Sequence, residues 1–101
     1  MASRLALQSK LESFLGNKNV YYQAPETLKM EYPAIRYSRI DIDSKHADNI
    51  KYTNVNLYQV IVISKKPDHE AIQKVLDLPL SSFDRHYVSN NLNHDVINLY
   101  Y

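Results

Sequence analysis

Pro33-Ala34-Ile35-Arg36-Tyr37-Ser38-Arg39-Ile40-Asp41-Ile42 and, after a polar stretch, Asn54-Val55-Asn56-Leu57-Tyr58-Gln59-Val60-Ile61-Val62-Ile63-Ser64-Lys65-Lys66 read as the two strands of a β-hairpin. The second is the most apolar part of the chain, and Leu57, Val60, Ile61, Val62 and Ile63 mark it as the centre of a sheet. In the first, Ile35, Tyr37 and Arg39 share one face while Ala34, Arg36, Ser38, Ile40 and Ile42 share the other. Neither face is cleanly apolar, the pattern of an edge or oligomer-facing strand. The connection Asp43–Tyr52 is longer than the roughly two to five residues of a tight hairpin and reads as a loop. It is either a solvated tip or an arm that crosses onto a neighbouring subunit to complete its sheet or line a pore.

Working outward, Leu7, Leu11, Phe14 and Leu15 recur at helical spacing, with Ser3 as a cap and Gly16, the only glycine, just past the end. The spacing predicts a helix over Ser3–Leu15 whose polar face carries Gln8, Lys10, Glu12 and Ser13. After Asn17-Lys18-Asn19, Val20–Gln23 reads as a short strand ended by Pro25, and Glu26–Tyr32 as an irregular connection. Pro67-Asp68 stops the central strand and caps a helix over Asp68–Asp77, with Ile72, Val75 and Leu76 on one side and Pro79 beyond its end. A second hairpin, Phe83–Tyr101, alternates Phe83, Arg85 and Tyr87 against Asp84, His86 and Val88, turns at Ser89-Asn90-Asn91 and returns through His94–Tyr101. The expected fold is α+β: one small domain over residues 1–101, mainly antiparallel sheet, with a long-looped hairpin flanked by two helices.

A chain of 101 residues holds one modest core. Nine tyrosines against two phenylalanines give it an unusual share of rings with polar tips, which suit both strands and protein interfaces. Net charge is +1, so no global field draws in nucleic acid or an anionic membrane. Without cysteine there is neither a disulfide framework nor a thiolate metal site. Met1-Ala2-Ser3-Arg4-Leu5 lacks the apolar run of a signal peptide, and no stretch approaches the roughly 18 apolar residues of a membrane helix. The expectation is a soluble protein made in the cytoplasm, without a membrane partner.

Four histidines, His46, His69, His86 and His94, raise the question of a metal, but none has the i, i+4 spacing of a helical ligand pair. Only His86 and His94 come within reach of one another, across the last hairpin. Asp84-Arg85-His86 and His94-Asp95 resemble pieces of acid–base machinery, yet neighbours on a strand point to opposite faces and neither piece converges on one atom. Ser81-Ser82 lacks a nucleophile elbow, and no glycine-rich phosphate loop is present. Arg36, Arg39, Lys65, Lys66 and Arg85 with Tyr37 and Tyr87 suggest a basic aromatic stripe, diluted by Asp41, Asp43, Asp68 and Asp84. The residues predict no enzyme, catalytic group, metal or cofactor.

The order helix, strand, long-looped hairpin, short helix and terminal strands resembles the tail-terminator, or tail-completion, proteins of long-tailed bacteriophages. Asn19-Val20-Tyr21-Tyr22-Gln23, Tyr32-Pro33-Ala34-Ile35-Arg36-Tyr37-Ser38, Val62-Ile63-Ser64-Lys65-Lys66-Pro67-Asp68 and Asp84-Arg85-His86-Tyr87 resemble the wording of small neck and tail proteins in phages of Gram-positive bacteria. The resemblance implies a virion protein forming a closed ring, expected as a hexamer, at the head-proximal end of the tail tube. It would stop tube polymerisation and dock the head–tail connector, with genomic DNA passing through the lumen without sequence-specific binding. Near-zero net charge fits a passage that does not grip phosphate. Alternatives are a head–tail connector ring one layer higher and an intracellular protein-binding or chaperone module. On the ring reading, subunit and tube contacts are expected at the edge residues Arg36 and Arg39, in the loop at Asp43, Lys45, His46, Asp48, Asn49, Lys51 and Tyr52, and at the tail Tyr100-Tyr101.

Overall fold

A computed structural model describes residues 4–23, 31–47, 50–66 and 69–101, with backbone pairing alone for 41–47 and 50–55. The element order is α1 (Arg4–Leu15), β1 (Val20–Tyr22), β2 (Ala34–Ala47), β3 (Ile50–Ser64), α2 (Glu70–Leu76), β4 (Ser81–Ser89) and β5 (Leu92–Tyr100). The strands form one sheet in the order β1-β2-β3-β5-β4, antiparallel except for the β1–β2 pair. This is the expected small α+β arrangement, with the apolar β3 at the centre.

Both helices pack on one face of the sheet. Leu7, Leu11 and Leu15 of α1 and Ala71 and Val75 of α2 close over Ile35, Tyr37, Tyr58, Val60, Val62, Ile97 and Leu99. The register explains this grouping, because Tyr37, Val60 and Ile97 lie side by side across three strands, and Ile35 and Val62 across two. The opposite face buries Ala34, Ile63 and Val96.

The first helix ends as its sequence predicts. Gly16 adopts φ +83° and donates to the Glu12 carbonyl at 2.9 Å, the left-handed C-terminal stop that a side chain disfavours. An added Cβ would meet nothing within 4 Å, so Gly16→Ala suffers only the backbone strain. A loss of about 1 kcal/mol is expected, read from urea unfolding.

Gln8, expected on the solvent face, turns inward instead. Its amide donates to the Val20 carbonyl at 2.9 Å, and its oxygen accepts from the Tyr37 hydroxyl at 2.5 Å, so a polar residue stitches α1 to two strands. The start of α2 also differs. Asp68 lies outside the described residues, and His69 is the cap, its Nδ1 accepting from the Ala71 N–H at 3.1 Å. Ser3, Pro25 and most of the connection before Tyr32 lie outside the described residues as well.

The largest departure concerns the first hairpin. Asp43–Tyr52, expected as a loop, continues the ladder: Asp43 pairs with Val55, Lys45 with Thr53, His46 with Lys51 and Ala47 with Ile50. Only residues 48 and 49 separate the strands, and a register shift between Lys45 and His46 leaves Tyr52 as the extra residue. Because β5 reaches β3 only over Leu57–Ser64, the distal part of the hairpin stands out as a two-stranded ribbon. The molecule is accordingly elongated, 49 × 23 × 21 Å, with a radius of gyration of 14.3 Å against about 13 Å for a compact chain of this length.

Candidate assembly surfaces

Two edges bound the sheet, and they are unlike. On one side β1 pairs with only three residues of β2, Ile35–Tyr37, while β2 runs on to Ala47. The outer edge of β2 from Ser38 onward therefore has no strand beside it among the described residues. Arg39 is exposed at the start of this step, whereas Arg36, expected at an edge, sits half-buried inside the sheet between Tyr21 and Ile61.

On the other side, β4 is exposed from Ser82 to Ser89. Phe83, Tyr87 and Val88 on this strand, with Leu80 just before it at 67% exposure, are most of the exposed large apolar side chains among the described residues. Alternation in the sequence does not reveal this surface, because a register shift between Phe83 and Arg85 makes Asp84 an extra residue and changes the phase of the strand. The available signal was position: an edge strand of the last hairpin, rich in large apolar residues.

The predicted contact residues divide between these regions. Asp43, Lys45, His46, Lys51 and Tyr52 belong to the ribbon, and Asp48 and Asn49 at its tip lie outside the described residues. Tyr100 pairs with Leu57 at the end of β5. Tyr101 continues that ladder: its N–H donates to the Asn56 carbonyl at 2.9 Å, its ring packs against the core, and the Lys10 ammonium lies 5.3 Å from the ring centre.

The last hairpin holds a pairing that the sequence reading missed. His86 and Asp95 are cross-strand partners, with Nδ1 and Oδ1 2.8 Å apart, so the two fragments Asp84-Arg85-His86 and His94-Asp95 each supply one member of a single pair. Asp95 is buried at 6% exposure, and His86 satisfies its carboxylate. His94 instead opposes Tyr87 on the other face, its ring stacked at 4.6 Å, so His86 and His94 do not meet. Removing the imidazole by His86→Ala leaves a buried acceptor without its partner and is expected to lower stability by about 1–2 kcal/mol, measured by chemical unfolding. Asp95→Ala in the same background should restore part of that loss.

Three tyrosines, Tyr22, Tyr37 and Tyr58, cluster with ring centres 4.9–6.5 Å apart, and Arg4 lies 4.3 Å from the Tyr22 ring centre. Burial raises the Tyr37 hydroxyl above the ordinary phenol value, with the nearby Arg4 acting in the opposite direction. Tyr37 is therefore a core residue and not part of a surface stripe with Tyr87. A cavity of about 200 Å³ lined by Tyr32, Pro33, Ser64, Lys65, Lys66 and His69 is smaller than the roughly 300–1,000 Å³ typical of small-molecule sites. Among the described residues no group of three His, Asp or Glu side chains converges as a metal site, and no helix is long and apolar enough to cross a membrane. No protein-family model matches the chain, and no curated protein matches it in sequence.

Proposed function

We propose that this protein is a bacteriophage tail-terminator, or tail-completion, ring: several copies, expected as six, close at the head-proximal end of the tail tube and join it to the head connector. The observation that carries the reading is the pair of unlike sheet edges among the described residues, a stepped β2 edge and a β4 exposed from Ser82 to Ser89. Unlike edges on one subunit favour head-to-tail contacts, and such contacts give a closed ring whenever the rotation between copies closes. The projecting β2–β3 ribbon supports the same reading, since a two-stranded arm beyond the core can reach a neighbouring subunit or the tube without disturbing the fold. On this reading the protein works by shape and contact, not by catalysis, resides in the virion, and lets DNA pass without gripping it.

Native mass spectrometry across a concentration series, followed by negative-stain imaging, tests the proposal. A closed oligomer with a central hole, able to bind purified tail tube, is the expected result. A stable monomer or dimer that neither closes nor binds tube at any concentration would sink the reading and point to a soluble protein-binding module.

A further inference from the structure

We infer that β4 is the strand by which one copy adds to the sheet of the next, pairing antiparallel with the outer edge of the neighbour's β2 over Ser38–Ala47. The inference rests on the ring reading and names the contact that would close it.

Backbone chemistry comes first. A nine-residue edge strand offers an alternating row of N–H and C=O groups over about 30 Å, and β4 has β5 on one side only. Its side chains are already exposed on both faces, with Phe83, Tyr87 and Val88 placed to gain most from being covered. The step on β2, open among the described residues, is the matching acceptor: ten residues from Ser38 to Ala47, with Ile40 as an extra residue that shifts its register on β3.

Strand direction agrees. β2 runs against β3, β3 against β5, and β5 against β4, so β4 and β2 of one copy point opposite ways. A neighbour in the same orientation therefore presents its β2 antiparallel to β4, the pairing that needs no inversion of the subunit.

Charge narrows the choice of occupant. Arg85 lies at the middle of β4, and the middle of the β2 step carries Asp41 and Asp43 without an intervening base. Centring one stretch on the other sets a basic register position of β4 opposite acidic register positions of β2. The alternative of β4 on β4 has no step to fill and makes a symmetric pair that ends assembly at two copies. The extra residue Asp84, hydrogen-bonded to Arg85 at 2.9 Å, bends and charges the edge and so discourages pairing with indiscriminate strands.

The chain has no cysteine, which makes disulfide trapping clean. Tyr87→Cys and Val88→Cys on β4, and Ser38→Cys and Ile40→Cys on β2, are made singly at non-core positions, mixed in β4–β2 pairs and oxidised. The expected result is a cross-linked dimer in at least one mixture and in neither of its components alone, because only neighbouring edges bring two sulfurs within bonding reach. A β4 variant that cross-links to itself overturns the inference in favour of a symmetric pair. Rings seen by native mass spectrometry without any mixed cross-link overturn it while leaving the ring reading intact. Absence of both rings and cross-links removes the two together.

Discussion

Tyr37→Ala is expected to lower stability by about 3–5 kcal/mol, a large share of the roughly 5–15 kcal/mol that holds a domain of this size together. The ring is 1% exposed and sits between Tyr22 and Tyr58 under α1, so truncation opens a void bounded on several sides by side chains that cannot follow it inward. Thermal unfolding followed by circular dichroism should register a fall of roughly 15–25 °C. Tyr37→Phe separates the hydroxyl from the ring. It keeps the packing, leaves the Gln8 oxygen without its donor, and should lose only about 1–2 kcal/mol. The hydroxyl also makes stability depend on alkaline pH. Burial raises its folded-state pKa above the ordinary value of about 10, so the neutral phenol is the packed form. Its contribution is fully present below about pH 10 and is lost as pH rises through the raised folded value, because the unfolded chain releases a proton that the folded chain retains. Subtracting the Tyr37→Phe profile from that of the unaltered protein isolates this slope from those of the other tyrosines. Two parallel profiles would mean that the Tyr37 hydroxyl is not held neutral by burial.

Much of this core was legible in the sequence, and the reason is periodicity. Leu7, Leu11 and Leu15 lie on one helical stripe and Val60 and Val62 on one strand face, and all are buried. The final turn was equally readable: Asn90 and Asn91 adopt φ +52° and +63°, the paired left-handed conformation of a two-residue hairpin turn, which asparagine tolerates. What escaped notice depends on interactions that side-chain polarity does not report. The ribbon extends through Asp43, Ser44, Lys45 and His46 on backbone pairing, and a run of polar residues carries no apolar alternation to detect. The His86–Asp95 pair required knowing the register of β4 on β5, which the extra residue at Asp84 displaces. Gln8 looked solvent-facing by polarity alone, yet it makes hydrogen bonds from α1 to both β1 and β2. The exposed β4 follows from topology, since it is an edge strand that α2 meets at its start, where the Ser81 hydroxyl donates to the Leu76 and Leu78 carbonyls, and the rest of the strand is exposed.

Deleting Ser44–Asn49 should abolish self-association while leaving the domain folded. Among the residues whose burial is described, the core cluster on the sheet is drawn from Val20, Ile35, Tyr37 and from Tyr58 onward, and β5 pairs with β3 only from Leu57 onward, so shortening the ribbon leaves that cluster and its ladder in place. The thermal midpoint is expected to stay within a few degrees of that of the unaltered protein, in contrast to the Tyr37→Ala result. The deletion removes Ser44–Ala47 from the proposed β2 acceptor edge, close to half of the ten-residue step, and takes away the arm that reaches past it. Rings should therefore be absent at concentrations where the intact chain forms them, as read by native mass spectrometry. Retained rings that no longer bind tail tube would reassign the ribbon from the subunit contact to the tube contact. Retained rings that still join tube to head would remove the ribbon from assembly altogether and leave the edges proximal to it, Ser38–Asp43 and β4, as the surfaces that must hold the ring together.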